Sequence, residues 1–329
     1  MEKFTEFSDK STGVNPFVDI AAPGCGREHL LLKLVKLPLR FGFAFSRFFA
    51  LFVLFSWLSA ANLVASLFRL VPFLRRLTLR YFHLLGLRVI LYVAGFFDVK
   101  FLSNRDQPFP QIDLTPPSLN HTNLIVSTFS SLFDPIVLSF RHSPLFAIPV
   151  SSSSNKIRLY TLSSLLLRWM IPLLPHPSPC DLPLAAIRAK RHRCPVVLFI
   201  EGSPSNGAGI LFPEYKIPIN ELASFSSVCF VAPKYPMSRR QRYPVTWPMF
   251  SCSVYKKMFH LCSQTNVCQV LYSEPVAVGE IPSENQRFCQ TELSYLTNTP
   301  PLDIGTSTGT RYLRFLSEKG SRRGKPHVQ

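Results

Sequence analysis

Two short stretches of this chain place chemically able side chains where the backbone must turn. Glu201-Gly202-Ser203 follows the apolar run 196–200 and opens a loop that continues through Pro204, Ser205, Asn206 and Gly207. Asp134 closes a second polar break, Ser127-Thr128-Phe129-Ser130-Ser131-Leu132-Phe133-Asp134-Pro135, behind the apolar run 123–126. A carboxylate can take up or hold a proton, and a neighbouring hydroxyl can bond a substrate oxygen, so these groups suit acid–base work or the binding of a hydroxylated ligand. Ser203 does not lie in a Gly-x-Ser-x-Gly, which argues against a covalent mechanism on that serine. Taken singly, each stretch also reads as a strand followed by a polar turn, with Ser203 as a turn cap.

The flanking runs say what must position them. Residues 123–126, 146–150, 196–200, 228–233 and 267–272 are short, apolar and rich in β-branched or aromatic residues, as strands buried on both faces are. Helical segments are expected from Ile136 to Phe140, from Leu159 to Leu174 and from Ala185 to His192, with Arg158 and Arg168 as candidate anion contacts. Strands alternating with helices predict an α/β fold with a mainly parallel sheet flanked by helices. Ligands of such sheets bind beyond the carboxyl ends of the strands. Asp134 and Glu201 are therefore expected to converge on one cleft.

The 329 residues carry a formal net charge of +17, 47% hydrophobic residues, 29 Phe and a mean hydropathy of +0.17. A basic surface favours polyanions, and the apolar content selects lipid over nucleic acid. No nucleic-acid-binding motif accompanies the charge. Eight cysteines with no Cys-x-x-Cys give no zinc site or compact disulfide framework, so no metal is expected and the thiols read as reduced. Residues 1–26 lack a secretory signal, and 1–40 read as a polar and basic tail. Residues 41–97 read as a membrane-anchoring segment: Phe48 to Phe68 is uncharged and long enough to cross a hydrocarbon core as a helix. Tyr81 to Phe97, interrupted by Arg88, supplies a second arm. Basic flanks on both sides leave a single span and a re-entrant hairpin equally open. Residues 98–280 form the α/β domain, and 281–329 a C-terminal helical segment ending in a basic tail.

Asp134 with its preceding loop, Glu201-Gly202-Ser203, and Val231-Ala232-Pro233 together resemble the motifs of the glycerolipid acyltransferases of the lysophosphatidic acid acyltransferase type. That family's first motif is Asn-His, four residues, Asp; its third is Glu-Gly-Thr; its fourth is a strand containing proline. The opening Met1-Glu2-Lys3-Phe4, the segment Thr12 to Phe17 and Leu302-Asp303 are similar to its divergent budding-yeast branch, which uses oleoyl-CoA. The resemblance implies acyl transfer from acyl-CoA, a co-substrate rather than a cofactor, to lysophosphatidic acid. It implies Asp134 as a catalytic carboxylate and Glu201, Gly202 and Ser203 as substrate-binding residues. It further implies work at the endoplasmic reticulum membrane or the lipid droplet, with the domain facing the cytosol and an anionic lipid surface as partner.

The sequence departs from the family at two positions that matter. The family's histidine, general base on the acceptor hydroxyl, corresponds to Phe129, and Thr128 stands where its asparagine would be. Its phosphate-pairing arginine corresponds to Pro204, so a phosphate needs another cation, for which Lys216, Lys234, Arg239, Arg240 and Arg242 are candidates. His121 and His142 are the histidines nearest in sequence. A silent acyltransferase fold that binds lipid or serves as a scaffold is the alternative reading.

Overall fold

The computed structural model describes residues 6–18, 30–67, 85–103, 123–150 and 156–315, apart from 172, 193, 238–240, 242, 249–253, 283, 310 and 313–314. The second apolar arm before residue 85, the connector 104–118, the sequon Asn120-His121-Thr122, the serine run 151–154, Arg239, Arg240, Arg242 and the basic tail 320–329 lie outside the described residues.

Helix α1 (Leu30–Leu67) comes first, and a second helix, α2, covers 85–93 in its described part. Strand β1 (Phe96–Ser103) follows it at once. Then come β2 (Asn123–Ser127), α3 (Asp134–His142), β3 (Leu145–Pro149), β4 (Ile157–Tyr160), α4 (Leu162–Met170), α5 (Leu182–His192), β5 (Val196–Phe199) and β6 (Ile210–Phe212). The chain continues through α6 (Ile219–Leu222), β7 (Ser227–Lys234), α7 (Val254–Cys262), β8 (Asn266–Tyr272), β9 (Val276–Ala277), α8 (Asn285–Thr297) and β10 (Pro301–Gly305).

The main sheet runs in the order β1-β8-β7-β2-β5-β3-β4, with β9 beside β7. Its centre, β7-β2-β5-β3, is parallel, as expected. Two antiparallel joints, β7 with β8 and β3 with β4, bring the outer strands into the sheet. The alternation of side chains along each strand divides the interior in two. Ile125, Val197 and Phe199 point into a core shared with α1, α2, α3, α4 and α7, while Leu124, Val126, Val196 and Leu198 point into one shared with α5, α6 and α8. Spacing explains the helices that cover these faces. On α5, Leu182, Ala185, Ala186 and Ala189 recur at helical period and are buried against the sheet, leaving Lys190, Arg191 and His192 outside.

Three readings change. The helical segment expected over 159–174 begins as strand β4, and α4 starts only at Leu162, where Thr161 and Ser164 form a reciprocal capping box. Residues 6–18, within the stretch read as a tail, pack Phe7 and Phe17 against Leu211, Leu302 and Tyr312 beside the small parallel sheet β6–β10. Among the described residues no helix is long and apolar enough to cross a membrane. The run expected to do so is helical up to Leu67, but Leu51 is buried and Phe48, Leu54 and Phe55 rest on the domain core, so that one flank of α1 is used for packing. Arg47 ties α1 to the end of α7 by donating to the carbonyls of Cys262 and Gln264.

Candidate functional site

The loop leaving β2 is fastened by two carboxylates that arrive from different elements. Asp134 stands in the first turn of α3, where the helix dipole favours an acidic side chain. Its Oδ2 accepts the backbone N–H groups of Ser130 at 2.7 Å and Ser131 at 2.9 Å. Its Oδ1 accepts the hydroxyl of Tyr235 at 2.5 Å. Glu201 lies just beyond β5, and its Oε2 accepts the Phe129 N–H at 2.7 Å while Oε1 accepts that of Leu211 at 3.0 Å. Three successive amides of one loop are thus satisfied by two acidic side chains. The parallel pairing of β2 with β5 and of β2 with β7 brings all three contributors to the same end of the sheet.

Gly202 and Gly207 take φ of +71° and +70°, a region open to glycine at little cost, and this lets the loop after β5 double back. Ser205 N–H then donates to the Phe129 carbonyl at 2.9 Å, and the Asn206 side chain holds the N-terminal segment through the carbonyls of Asn15 and Val18. A cavity of about 120 Å³ opens beside this loop. Its walls include Thr128, Ser130, Glu201, Asn206, Lys234 and Tyr235.

Burial dominates the electrostatics. It pushes the Asp134 carboxyl up to about 7, against the opposing pull of its bonds from Tyr235, Ser130 and Ser131. Glu201 goes up to about 8, again chiefly by burial and slightly by the nearby Asp134 charge. Both carboxyls therefore hold their protons to far higher pH than exposed ones do. A group titrating near working pH is suited to exchanging a proton.

The residues singled out in the sequence fall unequally around this cavity. Asp134 and Glu201 converge, linked through Phe129, Ser130 and Ser131, and Glu201 itself reaches the wall. The Ser203 hydroxyl is buried without a hydrogen-bond partner. Phe129 turns away from the cavity into the core, stacked on Phe199 at 4.6 Å and Trp169 at 5.7 Å between ring centres. Of the candidate phosphate cations, Lys234 lines the cavity while donating to the Thr297 carbonyl at 2.6 Å, and Lys216 is exposed elsewhere. His142 bonds the Tyr272 hydroxyl at 2.9 Å and burial drives it down to about 4. Among the described residues no histidine lines the cavity. Among them, too, no cluster of acidic, cysteine or histidine side chains could hold a metal.

Tyr235 is the residue that reading the sequence missed. It directly follows Lys234 at the end of β7, the strand that carries Val231-Ala232-Pro233, and strand-end position was the signal available for it. Its hydroxyl contacts Asp134, and Tyr235 is among the residues that line the cavity.

No family model and no curated protein matches this chain. Among solved structures it is similar to the crystal structure of the 1-acyl-sn-glycerophosphate (LPA) acyltransferase PlsC from Thermotoga maritima, at 13% identity and a TM-score of 0.45, over 78% of this chain and 96% of that one. At that level of likeness the chemistry of the site rests on its own residues.

Proposed function

We propose that this chain transfers an acyl group from acyl-CoA to the free hydroxyl of lysophosphatidic acid, giving phosphatidic acid. One observation carries the reading: the Asp134 carboxylate, at the convergent strand ends, is bonded to the hydroxyl of Tyr235, a residue that lines the cavity. Aspartate thus keeps the role of orienting and charging a proton-transfer partner, and a phenol stands in for the imidazole that Phe129 cannot supply.

The chemistry balances without a cofactor. As the acceptor hydroxyl approaches the thioester carbon, its proton passes to Tyr235 Oη while the tyrosine's own proton moves to Asp134 Oδ1. The new C–O bond forms, the C–S bond breaks, and the departing CoA thiolate recovers the proton along the same relay. Tyr235 never has to ionise, which matters because burial and the Asp134 charge hold its phenol far above the usual range. A thioester is an activated donor, so positioning supplies much of the remaining barrier reduction. Among the described residues, Lys234 is the cation on the cavity wall suited to the acceptor phosphate. Glu201 shapes the site by holding Phe129 and Leu211, with Gly202 and Ser203 completing its turn.

The same reading puts the protein at the endoplasmic reticulum or lipid-droplet surface with this domain facing the cytosol. The six described cysteines are free and buried, which suits a reducing compartment. Asn120 should then carry no glycan, and a glycosylated Asn120 in expressed protein would place the domain on the other side.

A silent lipid-binding fold is the second reading, favoured by one specific observation, the packing of Phe129 between Phe199 and Trp169. Purified protein in detergent, given oleoyl-CoA and lysophosphatidic acid, separates the two. Phosphatidic acid formed above a membrane-only control supports transfer, and lysophosphatidic acid binding without turnover supports silence.

A further inference from the structure

Away from the cavity, four side chains from β4, α4 and the turn after α4 form a cationic cluster. The Arg168 Nη2 lies 2.8 Å from His176 Nε2, and Tyr160 Oη lies 2.8 Å from His176 Nδ1. An arginine has no acceptor, so Nε2 must accept and the imidazole proton sits on Nδ1, donating to the tyrosine oxygen. Arg158 also bonds Tyr160. The phenol oxygen is therefore occupied as an acceptor, which leaves its own proton to be donated. Two further donors are orphaned: Arg158 Nε and Arg168 Nη1 are buried with no hydrogen-bond partner. Among the described residues no carboxylate lies within ion-pairing distance of either guanidinium.

Leaving charged donors unmade is costly, and both arginines are only half-buried, so the rest of each fork stays open to an acceptor. The donors come in the multiple, charge-assisted form that matches phosphate oxygens. What lies beside them is apolar. Leu173 is 95% exposed, Leu167 46% and Ile171 45%, all within one turn of Arg168 or in the turn that follows.

We propose that Arg158, Arg168 and Tyr160 form a phosphate site for the headgroup of an anionic phospholipid in a bilayer, with Leu173 and its neighbours entering the interface beside it. The exposed leucine and isoleucine favour a lipid-borne phosphate over one free in solution, since a soluble anion gives them nothing to cover. His176 is a positioning residue that spaces the Arg168 guanidinium and the Tyr160 phenol.

The test is flotation of the full chain with phosphatidylcholine vesicles, with and without phosphatidic acid, so that binding by apolar insertion alone cancels in the ratio. Arg158→Gln with Arg168→Gln should cut the preference for phosphatidic acid about thirtyfold, about fivefold for each basic contact. The paired Arg→Lys variant should restore most of it, because charge survives and only the fork is lost. The exposed pair Arg188→Gln with Arg191→Gln on α5 is the control for net charge. An equal loss in that control, or an unchanged preference in the first variant, overturns the site. Leu173→Asp should weaken vesicle binding while leaving inorganic phosphate binding, measured by calorimetry, intact. Phosphate binding that needs both arginines, with vesicle binding indifferent to them, assigns the site to a free anion and overturns the lipid placement. None of these readouts depends on acyl transfer.

Discussion

Replacing Tyr235 by phenylalanine removes one oxygen and leaves the ring where it packs, 6.0 Å from Phe96 between ring centres. Two effects follow, and they can be sized separately. Asp134 loses one of its donors but keeps the amides of Ser130 and Ser131, so stability should fall by about 1.5–3 kcal/mol, the usual worth of a hydrogen bond to a charged group. Turnover should fall far more, by roughly 10²–10⁴, because the path from the acceptor hydroxyl to the carboxylate is cut. The pH profile distinguishes relay from packing. In the unaltered protein kcat/KM should rise with pH through about 7 as Asp134 ionises. In Tyr235→Phe the residual rate should lose that dependence. The bond from Tyr235 is also a cause holding Asp134 down, so the carboxyl of the variant should titrate higher. The assay is phosphatidic acid formation from oleoyl-CoA across the neutral range, with thermal unfolding on the same samples. Full turnover with an unchanged profile in a folded Tyr235→Phe protein refutes the relay.

The remaining expectations concern the residues around it. Glu201→Ala leaves the amides of Phe129 and Leu211 buried without acceptors; at about 1–3 kcal/mol each, denaturant melts should show a loss of about 2–6 kcal/mol, so its inactivity must be read against its stability. Phe129→His should produce no gain in turnover, since the ring lies in the stack of Phe199 and Trp169, and should destabilise by about 1–3 kcal/mol for burying a polar ring; a large gain would mean the side chain reaches the cavity after all. Stability should decline from mildly acid to mildly alkaline solution. Asp134 and Glu201 bind protons more tightly folded than unfolded, so their contribution is complete below the ordinary carboxyl range and is lost as pH passes about 7 and about 8. His142, driven down to about 4, acts oppositely: it stays neutral in the fold while the unfolded chain takes up protons below the ordinary histidine value, so it offsets part of the carboxyl gain as the pH falls. Melting temperatures that climb steadily with pH would contradict these carboxyl shifts.

Much of this molecule was legible before any coordinates. The central strands could be read because β5 and the middle of β2, Leu124 to Val126, are buried on both faces and hence apolar, which leaves no ambiguity of period. The strand-end carboxylates could be read for a related reason: a charged residue directly behind such a run has few structural excuses. Strand β4 was less visible, because Ile157 to Tyr160 passes into α4 with no change of composition and only the Thr161 cap marks the border. The packing of Phe7 and Phe17 against β6 and β10 was invisible in principle, since it joins the two ends of the chain, as Asp9 accepting from the Asp303 amide also does.

The site divides in the same way. Residue order alone determined that Asp134 and Glu201 would stand at the ends of parallel strands, that Phe129 could not be a base, and that the surface would be cationic. Which way Phe129 faces, which hydroxyl Asp134 touches, and that Arg158 and Arg168 meet at the bonded pair Tyr160 and His176 were decided only by the tertiary structure. Periodicity reports on a residue's own element and its buried face, whereas these contacts depend on the crossing of elements separated by 101 positions for Tyr235 and Asp134, and no local pattern records that distance.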